Sequence, residues 1–189
     1  MLLELGRKLF HFLCLVYLSA FHLWGRSTTL KAVGAWFCVV VAVEALRLTV
    51  PKVNAFLLTS FRGIHRSAEE HRPSGIVWTS AGCWLTMAVF GAEPRLVDGG
   101  IVFLAFGDAA AALVGKAAGR HPFTFRGRRK SLEGSLACFA ACAASGAALG
   151  FGRVSLAAAA AATAVELAAP LPDDNFWLPL VSAFVLSLG

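Results

Sequence analysis

Between Gly107 and Ser135 the chain reads GDAAAALVGKAAGRHPFTFRGRRKSLEGS, and this stretch holds the groups from which a nucleotide site is built. Asp108 is set inside an apolar run, where a carboxylate is costly to keep and is by default a functional candidate. Residues 108, 111, 115 and 119 share one face of a helix, because offsets of three and four track the 3.6-residue turn. That face carries Asp108, Ala111, Gly115 and Gly119. The two glycines admit a second reading, a small-residue contact that lets two helices approach closely. A basic segment follows, ending in Lys130-Ser131-Leu132-Glu133-Gly134. Ser131 is placed to cap a new helix, which would turn backbone N–H groups, that of Gly134 among them, toward an anion beside Lys130. Glu133 next to a phosphate site asks for a bridging cation such as Mg2+; alternatively it offsets the helix dipole from the first turn. The stretch is not a P-loop: Ala110 stands where the first glycine belongs and Ala117 where Ser or Thr belongs.

These groups are embedded in 189 residues, 58% of them hydrophobic and 15% charged, with a mean hydropathy of +0.70. Such a composition excludes an ordinary soluble domain and predicts an integral membrane protein forming a single domain over residues 1–189. Seven apolar runs are expected to span: Leu9 to Trp24, Ala32 to Leu48, Gly75 to Phe90, Leu96 to Ala118, Leu132 to Phe151, Val154 to Ala169 and Phe176 to Leu188. Several fall short of the roughly 20 residues that a full crossing needs, the last most clearly. The fold class is therefore read as an all-α helix bundle of about seven transmembrane helices. Val53, Phe56, Leu57, Phe61 and Ile64 alternate at helical spacing with Lys52, Arg62, His65 and Arg66, the pattern of an additional helix lying at the membrane surface.

With alternating spans, thirteen of the 17 Lys and Arg fall on one side, which sets that side, and the N-terminus, in the cytoplasm. The net charge of +6 is thus a topology signal and not a nucleic-acid patch. Nine of the eleven acids lie on the same side; Glu44, Asp108 and Glu166 stand out because each lies in or closes an apolar run. The start of the chain, with Arg7-Lys8 before an apolar run, is read as a retained first span and not a cleaved signal, since His11 interrupts its apolar core. All five cysteines lie in apolar runs without a CxxC pair, so buried thiols are expected.

Four motifs in order resemble the CTP-dependent lipid alcohol kinases, the family of dolichol kinase, phytol kinase and the CTP-dependent diacylglycerol kinase. Arg7-Lys8 with His11 is similar to its N-terminal RKxxH, and Asp108, Ala111, Gly115 and Gly119 to its DxxAxxxGxxxG. Lys130 to Gly134 resembles K[ST]xEG, and Asp173-Asp174-Asn175 with Pro179 resembles DDNxxxP. The segment between Gly119 and Lys130 is one residue longer than the family form. The CTP:phosphatidate cytidylyltransferases share the Asp/Gly and KSxEG style, but their HGG stretch and DRxD are replaced here by PLPDDNFWLP. A small transporter could also bury Asp and Glu, yet has no need of a Lys-rich segment leading into a capped helix.

The resemblance implies transfer of the γ-phosphoryl group of CTP to the hydroxyl of a lipid alcohol, with Mg2+ as cofactor. Its partners are CTP, the lipid and the bilayer, with no nucleic acid and with room for a homo-oligomer, at a bacterial inner membrane with a cytoplasmic site. Carried over residue by residue, it gives Asp108 a metal or general-base role, Glu133 and Asp173 metal roles, and Arg7, Lys8 and Lys130 the phosphates. Gly115, Gly119, Ser131 and Gly134 allow close backbone approach. Asp174 and Asn175 complete a second acidic cluster, with catalysis or nucleotide binding as their part. All of these side chains are expected to converge on one pocket.

Overall fold

The computed structural model of the chain describes residues 12–60 and 70–189. It is helical except for one small sheet. The helices are α1 (Cys14–Thr49), α2 (Pro51–Ser60), α3 (Gly75–Phe90), α4 (Pro94–Ala118), α5 (Leu132–Ala148), α6 (Val154–Ala168) and α7 (Asp174–Leu186); strands β1 (Pro122–Phe125) and β2 (Arg128–Ser131) separate α4 from α5. Each apolar run of the sequence is helical over most of its described residues. By length and hydropathy, α1 and α4 suffice to cross a bilayer, while α3, α5, α6 and α7 are shorter apolar helices. Together with the composition, and with large apolar side chains left exposed (Leu23, Trp24, Val39, Phe56, Leu136 and Leu156), this makes the chain a membrane protein.

α1 is not one straight rod. Gly25 has φ 76° and ψ 166°, a conformation that L side chains resist, and it breaks the helix into two arms. Nineteen residues of straight helix would separate Tyr17 from Trp36 by about 28 Å. Instead Trp36 Nε1 donates to the Tyr17 hydroxyl at 2.7 Å, and Thr29 Oγ1 donates to the Ala20 carbonyl at 2.9 Å. The arms therefore fold back as a hairpin whose corner is Gly25, and residues 26–31, expected to connect two spans, are already helix. α1 ends at Val50, whose extended backbone is what a following proline imposes. Pro51 then opens α2, which buries none of its residues; the rest of the expected surface helix, residues 61–69, lies outside the described part.

α4 is the centre of the bundle. It packs along α5 and α7 and touches α1, α3 and α6, burying Val97, Ile101, Phe103, Leu104 and Ala105 completely. Small residues set the spacing. A Cβ on Gly107 would meet Cys142 Sγ at 2.6 Å, and Ala158, Ala159 and Ala162 of α6 are fully buried. Four cysteines are buried free thiols as expected; Cys38 instead lies exposed on the outer arm of α1.

α7 is held between α3 and α4 by two further glycines. A Cβ on Gly82 would lie 2.8 Å from the carbonyl oxygens of both Asn175 and Phe176, and one on Gly100 would lie 2.6 Å from the Pro179 carbonyl. Backbone cannot give way as a side-chain tip can. Gly82→Ala is therefore expected to push the first turn of α7 outward at a cost of about 1–3 kcal/mol. A lowered thermal midpoint in detergent checks it, and an unchanged midpoint would show that the contact is slack.

The basic segment after α4, in a chain read as all-α, is an antiparallel hairpin in which Phe123 faces Lys130 and Phe125 faces Arg128. Its two-residue turn is Arg126-Gly127, with φ of 49° and 76°, the paired positive values of a type I′ turn. Alternation in Phe-Thr-Phe ahead of Arg-Gly is the signal for it.

Candidate active site

The hairpin has a consequence for chemistry, because a strand places alternate side chains on one face. Arg128 and Lys130 share such a face and turn toward the helices. Arg128 Nη1 lies 3.6 Å from Asp174 Oδ2. Lys130 Nζ donates to the Glu166 carbonyl at 2.8 Å and pairs with the Glu166 carboxylate. The two basic side chains thereby join the end of α6 to the start of α7.

Beneath the hairpin is a cavity of about 960 Å³. Its walls bring together Asp108, Gly115 and Gly119 from the α4 motif, Lys130, Ser131 and Gly134 from the second motif, and Asp174 from the third. Three motifs far apart in sequence thus share one chamber. Five basic side chains (Arg72, Lys116, Arg128, Arg129 and Lys130) and three acids (Asp108, Glu166 and Asp174) face it. Cations in excess over a buried acidic floor suit a polyphosphate accompanied by a divalent metal ion.

The glycines act first on packing. Gly134 is pressed against α4, where an added Cβ would lie 2.8 Å from the Ala111 carbonyl and 3.2 Å from the Gly115 Cα. A Cβ on Gly115 or Gly119 would fall 3.1 Å or 3.0 Å from Ser131 Oγ. The small residues of the two motifs therefore bring the start of α5 against the end of α4. Gly119 itself lies one residue beyond that helix, with ψ 86°.

Ser131 caps α5 as the sequence predicts, with backbone angles of −140° and 151°. Its Oγ accepts the Gly134 N–H at 3.1 Å, and the Leu132 N–H donates to the His121 carbonyl at 3.1 Å. These N–H groups are consumed by the chain itself. The Gly134 amide, expected to face an anion, is thus already engaged by its own cap.

Glu133 lies in the first turn of α5, where the dipole reading puts it. Its carboxylate accepts the His121 backbone N–H at 3.1 Å and bonds His121 Nδ1 at 2.6 Å, and it does not line the cavity. It fixes the entry into the hairpin. Asp173 caps α7, accepting from the Asn175 backbone N–H at 3.0 Å and from Asn175 Nδ2 at 2.7 Å. Asp173 and Asn175 therefore shape the turn from which Asp174 reaches the cavity. Arg7 and Lys8 lie outside the described residues. Among the described residues, no three His, Cys, Asp or Glu side chains gather closely enough to enclose a metal ion, so the set Asp108, Glu133 and Asp173 does not form.

Mg2+ rarely needs such a cage, since it is commonly held by one or two carboxylates with substrate phosphates and water. One observation fits that mode. Asp174 is only 5% exposed, and its Oδ1 is buried without a hydrogen-bond partner among the described residues. A buried acceptor left without a donor is rare in folded proteins and attracts a cation. Asp108, 9% exposed, lines the same chamber. These two carboxylates are the residues that fit a metal ion accompanying a nucleotide.

Glu166, Ser135, Lys116 and Arg72 also line the chamber, beyond the site residues that the motifs name. Only Glu166 carries a sequence signal, an acid closing an apolar run. Ser135 lies one helical turn after Ser131, and its Oγ is buried without a partner among the described residues.

The chain is 27% identical over 141 residues to the CTP-dependent diacylglycerol kinase 1 of Saccharomyces cerevisiae, covering 72% of this chain and 47% of that protein. It thus spans about half the length of the relative it matches. No family model matches the chain, and no solved structure matches it.

Proposed function

We propose that the chain is a membrane lipid kinase that transfers the γ-phosphoryl group of CTP to the hydroxyl of a lipid alcohol. The observation that carries this is the shared chamber, in which basic side chains and buried carboxylates from three separate motifs meet at the ends of apolar helices. The likeness to a CTP-dependent diacylglycerol kinase supports CTP as donor and diacylglycerol as the first acceptor to try, ahead of polyprenols and phytol. The seven apolar helical segments, counting the arms of α1 separately, are read as seven passes with the N-terminus and the chamber in the cytoplasm. A plasma membrane of bacterial type suits that arrangement.

In this reading Arg128, Arg129 and Lys130 hold the phosphates, joined by Arg7 and Lys8. Asp108 and Asp174 would hold Mg2+, which neutralises oxygen charge on the nucleotide when bound. The acceptor oxygen forms its bond to the γ-phosphorus as the bridge to the β-phosphate breaks, and CDP leaves. In the general-base alternative, Asp108 takes the hydroxyl proton and Asp174 is left to hold the metal. The remaining work is alignment, which phosphoryl transfer chiefly requires.

The test is label transfer from γ-labelled CTP or ATP, using the purified full chain with diacylglycerol, a polyprenol or phytol in one detergent. Labelled lipid phosphate formed from CTP is the expected product. Consumption of phosphatidate with release of pyrophosphate would move the chain to cytidylyl transfer, and no nucleotide turnover with any acceptor would sink the kinase reading.

A further inference from the structure

Arg72 enters the chamber from a part of the chain that none of the motifs includes, the segment that leads into α3. Its backbone is unusually well held. Arg47, 1% exposed at the end of α1, donates from Nε and Nη2 to both carboxylate oxygens of Glu44, at 3.1 Å and 2.8 Å. The same guanidinium donates from Nη2 to the Arg72 carbonyl at 2.7 Å and from Nη1 to Asn54 Oδ1 at 2.9 Å. Glu44 also accepts the Ser74 backbone N–H at 2.9 Å, and Asn54 Nδ2 donates to the Glu70 carbonyl at 3.1 Å. Residues 70, 72 and 74 are thus tied by main-chain atoms to one buried ion pair.

Burying such a pair is a poor source of stability, because desolvation offsets most of the attraction. What it does supply here is position, since three alternate residues are fixed by their backbone while the Arg72 side chain stays exposed and faces the cavity. Among the described residues that guanidinium has no hydrogen-bond or ion-pair partner. A planar fork of N–H donors on an anchored backbone, lining a chamber whose other basic residues come from the hairpin and α4, is complementary to phosphate oxygens.

We infer that Arg72 is a phosphate ligand of this chamber, gripping the polyphosphate from a segment separate from the hairpin, and that Glu44 and Arg47 are its positioning residues. The inference rests on the nucleotide reading of the site and adds to it a cationic ligand from outside the motifs. It also gives Glu44 a use, which its place in an apolar run leaves unexplained.

The experiment is calorimetric binding of inorganic tripolyphosphate to the full chain in detergent, run beside CTP kinetics. Arg72→Ala is expected to weaken tripolyphosphate about tenfold or more, the loss of one charge-assisted bidentate contact. It should raise KM for CTP with little change in kcat, and Arg72→Lys should recover part of the loss. Glu44→Gln should weaken tripolyphosphate in the wild-type background but add nothing in the Arg72→Ala background, because its effect passes through Arg72. Asn54→Ala serves the same cycle where Glu44→Gln does not fold. Equal tripolyphosphate affinity in wild type and Arg72→Ala, no binding to the wild type, or additive losses in the cycle would overturn the inference. Absence of lipid phosphorylation by a wild type that binds tripolyphosphate through Arg72 would instead strike the kinase reading alone.

Discussion

Asp108→Asn is expected to lower CTP-dependent lipid phosphorylation by about a thousandfold, within the range seen when a positioned proton acceptor is removed. The substitution keeps the shape of the side chain and removes its charge. Asp108 is on α4, the helix around which the bundle packs, and it is 9% exposed where the chamber meets the core. A carboxylate at that depth costs desolvation, so its neutral replacement should leave the fold intact or slightly firmer. Initial rates, with gel filtration and a thermal melt of the same preparation, separate chemistry from folding. A folded variant with a near-normal rate would make Asp108 a packing residue.

Lys130→Met has the other large expected effect, and it falls on stability as well as turnover. The Lys130 ammonium is paired with the Glu166 carboxylate, with side chains 16% and 8% exposed. Removing it strands Glu166 in a chamber that already contains Asp108 and Asp174, at a cost of about 3–5 kcal/mol. Adding Glu166→Gln removes the stranded charge and should restore most of the thermal midpoint. It should not restore activity, because the phosphate ligand is still missing. A single variant as stable as wild type would show that the pair is water-screened; recovered turnover in the double variant would take Lys130 out of catalysis.

Where the sequence was legible, it was through residues whose physical requirement is local. The Ser131 cap is readable because capping depends on a side chain and the amide three residues on. The Asp108-Gly115 face is readable from helical spacing alone. The role of Glu133 was not, since a carboxylate after a cap serves equally for a metal, the dipole or a neighbouring loop, and only the position of His121 decides among them. Asp173 and Asp174 are adjacent and chemically identical, yet one caps the helix and the other reaches the chamber; the choice depends on how Gly82 seats the first turn of α7. Arg72 has no local signal at all. Its backbone is held by Arg47, 25 positions away, and its place in the cavity wall comes from tertiary packing, which no periodicity encodes.

The uneven burial of the two long helices has a consequence for how this sequence can drift. In its most apolar window α1 is 17% buried and α4 is 61% buried. The outward side of α1 is answerable only to lipid, and lipid distinguishes poorly among Leu, Val, Ile and Phe, so substitutions there pass as near equivalents. α4 answers to neighbouring helices on most of its circumference, where one added methyl at Gly107 would collide with Cys142. The wall of the protein is therefore free to diverge while its central mast is held.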